Sequence, residues 1–109
     1  MNQIDIYDLL TPQDLDEVNF RTMTDEEIAA HLGKRLGLKF EFNGFFNEYQ
    51  AKVGGRVLQV HTSHYSTTGE PFLSCGYMDK KTLSGCGNPC DSLASAYTFL
   101  HRAKEGAEE

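Results

Sequence analysis

The chain has 109 residues, a formal net charge of -6 and no tryptophan, and 39% of its residues are hydrophobic. A chain of this length forms one hydrophobic core, so the sequence predicts a single domain over residues 1–109. No segment approaches the roughly 20 consecutive apolar residues that a membrane-spanning helix needs. The first residues are acidic, unlike the basic start of a signal peptide, so we expect a cytoplasmic protein.

The negative charge is concentrated in the first 30 residues, where Arg21 is the only basic residue against eight carboxylates. This surface repels phosphate backbones, which disfavours direct binding of nucleic acid. It is suited to a protein partner with a basic surface, although it could equally be a solvated face that aids solubility. The candidate partner-binding residues are Asp5, Asp8, Asp14, Asp16, Glu17, Asp25, Glu26 and Glu27.

Two helices are expected before the sheet. Residues 1–23 form an acidic segment in which Thr11-Pro12 is typical of the start of a short helix, and residues 19–23 read as a connection. Residues 24–37 form a stronger helix, because Thr24 and Glu27 have the spacing of a capping box. Its apolar stripe is Ile28, Leu32 and Leu36, and Gly37 ends it.

Residues 38–78 have the period of two that is typical of strands. Gly54-Gly55 fits a two-residue turn, which pairs Val53 with Arg56 and Tyr49 with Val60, and would place Phe45 in the core opposite His64. Phe46 would then point outward as an interface candidate. A further strand over residues 72–78 would place Leu73, Cys75 and Tyr77 on the face of Val60 and His64.

The last third is expected to be a loop followed by a helix. Residues 79–90 are rich in glycine and cysteine and read as a loop, and residues 91–105 read as a helix capped by Asp91. The predicted fold class is therefore α+β. It has an N-terminal helix, an antiparallel β-meander of three to four strands, and a C-terminal helix packed on the sheet.

The three cysteines indicate a structural zinc site. An odd number of cysteines argues against a closed set of disulfides, and clustered thiols in a reducing compartment favour metal binding. Cys86 and Cys90 would lie in one loop, with Cys75 and His64 on one strand face. A tetrahedral site formed by His64, Cys75, Cys86 and Cys90 would join strand, loop and helix, with His61 as the other candidate for the fourth ligand.

Two other interpretations of the cysteines stay open. Cys75 could be a small buried hydrophobic residue, with Cys86 and Cys90 as ordinary loop thiols. Alternatively, Cys90 could serve a small thiol-dependent enzyme, because a helix N-terminus lowers the pKa of a thiol. The neighbouring Asp91 opposes that effect, and the sequence shows no phosphate-binding loop or Ser-His-Asp pattern, so we expect a non-enzymatic protein.

The acidic residues 1–30, the cluster of His64, Cys75, Cys86 and Cys90, and the small size together resemble a class of proteins. The chain is similar to small inhibitors encoded by phages and mobile elements, notably anti-CRISPR proteins. The resemblance implies a zinc-stabilised acidic protein that binds a basic surface of a nucleic-acid-handling partner, such as a CRISPR effector nuclease, in the host cytoplasm. The alternative is a zinc-stabilised adaptor of an unrelated pathway.

Overall fold

A computed structural model describes residues 19–108 of the chain, with side chains to residue 107. The described residues form one five-stranded antiparallel sheet with two helices on one of its faces. The strands are β1 (Glu41–Asn43), β2 (Glu48–Val53), β3 (Arg56–His64), β4 (Pro71–Asp79) and β5 (Ser84–Cys90). The helices are α1 (Asp25–Leu36) and α2 (Leu93–Glu108), preceded by a 3-10 turn at Phe20–Thr22.

The predicted α+β class is confirmed, with five strands rather than three to four. The strands follow one another in the order β1-β2-β3-β4-β5, so each pairs with its neighbour in the chain. Neither helix of the described residues is long and apolar enough to cross a membrane. The short helix expected after Thr11-Pro12 lies outside the described residues.

Helix α1 begins and ends as the sequence predicts. The Thr24 hydroxyl accepts from the Glu27 N–H at 3.1 Å, and the Glu27 carboxylate accepts from the Thr24 N–H at 2.9 Å. The hydrogen bond from the Thr24 N–H, and next to it the Thr24 hydroxyl, stabilise the charged carboxylate of Glu27, so the pKa of Glu27 lies below its usual range. Gly37 takes the left-handed conformation, with φ 70°, that ends a helix.

The sheet has one face covered by helices and one face open. Leu58, Val60, Leu73 and Cys75 alternate onto the covered face, where they pack with the apolar stripes of the helices. The core is built from the 3-10 turn, both helices and strands β3, β4 and β5. Its largest fully buried side chains are Phe20, Ile28, Leu32, Leu58, Val60, Leu73, Cys75, Cys90, Leu93 and Leu100. Residues 19–23, predicted as a connection, lead into α1 and also contribute Phe20 to this core.

The predicted register of the hairpin is confirmed next to its turn and wrong at its far end. Val53 pairs with Arg56 and Tyr49 with Val60. Strand β2 begins only at Glu48, because Asn47 has a φ of 55° and ends a turn rather than continuing a strand. Phe45 is therefore not opposite His64, and its side chain is 88% exposed instead of lying in the core.

The predicted loop over residues 79–90 is also wrong, because Ser84–Cys90 is a strand paired with β4 along its whole length. The following helix starts at Leu93, and its capping residue is Ser92 rather than Asp91. The Ser92 hydroxyl accepts from the Ser95 N–H at 3.1 Å. Helix α2 then continues to Glu108, beyond its predicted end at residue 105.

The end of α2 packs against the turn between β2 and β3, which gives a test of the fold. Gly54 has a φ of 56°, and a Cβ there would lie 2.6 Å from the Ala107 carbonyl oxygen. Gly69 has a similar φ of 75°, but a Cβ there meets nothing within 4 Å. We expect Gly69→Ala to cost about 1 kcal/mol in the free energy of unfolding, from backbone strain alone. Gly54→Ala should cost roughly 2–3 kcal/mol, because the helix end must also shift.

Urea denaturation of the two variants measures the difference between these glycines. Equal losses of stability would show that the contact between α2 and the Gly54 turn contributes nothing.

Candidate functional site

The structure brings two of the three cysteines together. Cys90 pairs with Leu73 and Cys75 with Asn88, so the two cysteines are diagonal neighbours on adjacent strands and share the covered face of the sheet. Both are buried, each with 1% of its surface exposed. The two thiols are close enough for each to shift the pKa of the other. Cys75 and Cys90 are called the thiol pair below.

The two thiols of the pair differ in pKa. Contact with the Cys75 thiol stabilises the Cys90 thiolate and lowers the pKa of Cys90 to about 7, against the opposing effect of burial. The Asn88 side-chain amide adds a donor, 3.6 Å from the Cys90 sulfur. The same contact with Cys90, together with burial, raises the pKa of Cys75 well above its usual range. Cys90 is therefore the more acidic thiol of the two.

Cys86 and His64 are not brought to the thiol pair. Cys86 lies four residues before Cys90 on an extended strand, so their Cα atoms are about 13 Å apart at 3.3 Å per residue. Two thiolates on one zinc ion lie only about 4 Å apart. His64 pairs with Pro71, which puts it two strands across and two residues along from Cys90, a separation of about 12 Å.

The predicted ligand set is therefore not assembled. His61, the other candidate for the fourth ligand, pairs with Ser74 on the open face of the sheet, away from the thiol pair. In residues 19–108 no three His, Cys, Asp or Glu side chains are grouped so that they could hold a metal ion. The prediction depended on a loop that folds Cys86 back onto Cys90, and β5 is straight there. Zinc binding stays a prediction without a ligand set in this part of the chain.

For the interpretation of Cys90 as a catalytic nucleophile, residues 19–108 supply a lowered pKa but no general base beside the sulfur. Its sequence neighbour Asp91 accepts a hydrogen bond from the Tyr65 hydroxyl at 3.2 Å. Asp91 raises the pKa of Cys90, as the sequence suggests. A general base would have to contact the sulfur, and the strand register keeps His64 about 12 Å away.

Next to the thiol pair, a groove of about 580 Å³ runs between β5 and α2. Its lining includes the exposed thiol of Cys86 and the rings of Tyr77 and Phe99. The Arg56 guanidinium also faces it, but this group is already engaged, since it lies 4.3 Å from the centre of the Tyr77 ring and donates to the Ala103 carbonyl at 3.0 Å. Polar residues such as Ser95, Thr98 and Arg102 complete the lining, so the groove offers a mixed surface with one thiol and no carboxylate among the lining residues that the structure describes.

The predicted acidic contacts fall into two groups. Asp5, Asp8, Asp14, Asp16 and Glu17 lie outside the described residues. Of the other three, Glu27 is engaged in the capping box, and Asp25 accepts from the Thr62 N–H at 3.2 Å. Glu26 is exposed in the first turn of α1. Asp25 and Glu27 thus stabilise the fold.

The described part of the chain carries no excess of either charge. All ten Lys and Arg residues lie between positions 19 and 108, and so do ten of the sixteen Asp and Glu residues. The formal charge of -6 thus comes from the five acidic residues of positions 1–17 and from Glu109. A partner with a basic surface would be attracted mainly by those residues.

The most distinctive exposed feature is the turn between β1 and β2, residues 44–47, which we call the aromatic turn. Phe45 is 88% exposed and Phe46 is 57% exposed. Their ring centres are 4.9 Å apart in an edge-to-face arrangement. The exposure predicted for Phe46 is confirmed, and Phe45 joins it.

The backbone of the aromatic turn is held by polar residues at its two ends. The Asn43 side-chain oxygen accepts from the N–H groups of Phe45 and Phe46, at 3.0 and 3.4 Å. Asn47 closes the turn with its positive φ. The signal was in the sequence, because Asn-Gly before the two phenylalanines and Asn after them are turn-forming residues. These contacts hold the backbone of the turn from which the two rings project into solvent.

Comparison with protein-family models, with curated proteins and with solved structures finds no match for this chain.

Proposed function

We propose that this chain is a non-enzymatic binding protein that attaches to another protein through the aromatic turn. The observation that supports this most directly is the fixed exposure of Phe45 and Phe46. Aromatic side chains that enter a pocket on a partner contribute most of the energy of many interfaces. A turn whose backbone is already held in place loses less conformational entropy on binding, so more of the energy of burying the two rings appears as affinity.

The partner that we propose is a nucleic-acid-handling protein such as a CRISPR effector nuclease. The similarity to anti-CRISPR proteins and the carboxylates of residues 1–30 support this more specific proposal. The acidic residues attract a basic surface, and the aromatic turn supplies the apolar contact. An adaptor of an unrelated pathway would use the same turn on a partner without a basic nucleic-acid channel.

A photoreactive phenylalanine analogue at position 45 tests the proposal. It is introduced into the full chain, and the same analogue at position 83 is the control. Leu83 is 86% exposed and lies in a different turn, between β4 and β5. We expect one discrete crosslinked protein from position 45 and none from position 83. Crosslinks of equal yield from both positions, or none from either, would contradict binding through the aromatic turn.

The identity of the crosslinked protein and a cleavage assay test the inhibitor role. Purified chain is added to the captured nuclease with its guide and target nucleic acid. Loss of cleavage at stoichiometric amounts supports inhibition. Capture of a partner whose nuclease activity is unchanged, or which has none, would favour the adaptor.

A further inference from the structure

We propose that Cys75 and Cys90 are a site of reversible oxidation, at which peroxides or glutathione disulfide close a disulfide bond between β4 and β5. The thiol pair is separate from the aromatic turn that the proposed function uses. Its two side chains lie on the same face of adjacent strands, two residues apart in register, and both are buried.

The strand geometry is close to what a disulfide needs. Diagonal neighbours on adjacent antiparallel strands have Cα atoms about 7–8 Å apart in a regular sheet, and disulfides span up to about 6.8 Å. Closing the bond therefore requires the distance between these two Cα atoms to shorten by up to about 1 Å. Strand β4 lies inside the sheet between β3 and β5, so most of the movement falls to β5.

Strand β5 is free to make this movement because it is the edge of the sheet. The closing pair of the two-residue turn, Val53 and Arg56, exchanges hydrogen bonds, and alternation across the sheet then directs the Cys86, Asn88 and Cys90 backbone towards β4. The backbone of Gly85, Gly87 and Pro89 faces the open edge. Proline fits this position because it has no N–H to donate.

The same edge gives an oxidant access to the buried sulfurs. Residues 84–89 are all exposed, and only Cys90 at the end of the strand is buried. A segment held on one side by a single strand opens locally at a lower free energy than the core does. Opening the last residues of β5 exposes Cys90 without unfolding the sheet.

Oxidation takes two steps: one thiol reacts with the oxidant, and the other thiol then closes the disulfide. The two thiols differ as these steps require. Of the two thiols, Cys90 is the more easily ionised, because its contact with Cys75 lowers the pKa of Cys90 and raises the pKa of Cys75. With hydrogen peroxide, the Cys90 thiolate attacks one oxygen and releases hydroxide, which gives a sulfenic acid. The Cys75 sulfur then attacks the Cys90 sulfur. The sulfenic hydroxyl leaves with the Cys75 proton as water.

Glutathione disulfide would lead to the same product. Cys90 displaces one glutathione to form a mixed disulfide, and Cys75 displaces the second. In either case two thiols lose two electrons and two protons to the oxidant. Free glutathione in excess reverses the reaction by the same exchange steps.

The test uses the full chain with Cys86→Ser, which removes the exposed thiol and leaves the thiol pair. The protein is equilibrated with a series of glutathione buffers, once folded and once unfolded in urea, and quenched with acid. Intact mass and a peptide map measure the fraction that has lost two hydrogens through a Cys75–Cys90 bond. We expect the equilibrium constant for closure to be at least about tenfold higher in the folded protein, because the fold holds the sulfurs together.

A second measurement follows the peroxide reaction in the same variant and in one that also carries Cys75→Ala. With Cys75 present, the product is the disulfide, and dithiothreitol restores both thiols. Without it, Cys90 should accumulate as sulfenic acid. A folded protein that closes the bond no more readily than the unfolded chain would overturn the proposal. So would a peroxide product that consists of overoxidised Cys90 with Cys75 still reduced.

Discussion

Replacing Phe45 and Phe46 together by serine is expected to weaken the complex with the crosslinked partner by about 100-fold or more. Truncation of a central aromatic residue typically costs 2 kcal/mol or more, and 1.4 kcal/mol is a factor of ten in the dissociation constant. Both rings are exposed and contact each other edge to face, so their removal leaves the core unchanged. Titration calorimetry with the purified partner measures the effect.

Leu83→Ser is the matched control for this double variant. Leu83 is as exposed as Phe45 and lies at another turn of the same sheet, so it tests for a general loss of apolar surface. We expect its affinity to stay within about twofold of the unchanged protein. The two proteins should also unfold at the same urea concentration. If the double serine variant bound as tightly as the control, the aromatic turn would not be the contact surface.

Leu58→Ala is expected to have the largest effect on stability, a loss of about 2–5 kcal/mol in the free energy of unfolding. Leu58 is fully buried on the covered face of β3, between the sheet and the helices, so its truncation leaves a cavity. A domain of this size has only about 5–10 kcal/mol of stability. The midpoint of thermal unfolding should fall by roughly 10–25 °C.

The neighbouring Val57→Ala is the control, because Val57 points to the open face of the sheet and is only half-buried. Its truncation should cost less than about 1 kcal/mol, mainly through lost strand propensity. Calorimetry of both variants compares the two faces of one strand. Similar losses at the two positions would mean that the helices do not pack on the Leu58 face as described.

The elements that the sequence predicts well are those with strong local rules. The capping box at Thr24 and Glu27 needs only four consecutive residues, and the two-residue Gly54-Gly55 turn fixes the register of the strands beside it. In these places one local interaction decides the structure. The prediction then extends along β2 as far as the period of two continues.

Strand β5 could not be predicted in this way. Ser84–Cys90 contains two glycines and a proline, which have low strand propensity. It becomes a strand because β4 offers a free edge immediately before it in the chain. That pairing is a property of the assembled sheet, and it also separates Cys86 from Cys90. One local error, a loop in place of a strand, thus removed the basis of the predicted zinc site.

The prediction for the aromatic turn is wrong for a different reason. Tyr49, Ala51 and Val53 alternate onto the covered face. Extending this alternation back through Asn47 predicts that Phe45 lies on the same face. The positive φ of Asn47 interrupts the strand, and alternation has no meaning beyond that residue. Asparagine is one of the few residues that adopt this conformation readily, so the residue type at position 47 indicates the interruption of the strand.

The meander order of the sheet has a consequence for the rate of folding. Every strand pairs with the strand next to it in the chain, so each ladder closes only a short loop. The more distant contact joins the two helices, α1 near the start of the described chain and α2 at its end. Proteins rich in local contacts cross their folding barrier faster than those that must join remote segments first. The hairpins are thus placed to form early, with the docking of α2 onto α1 as the later step that completes the core.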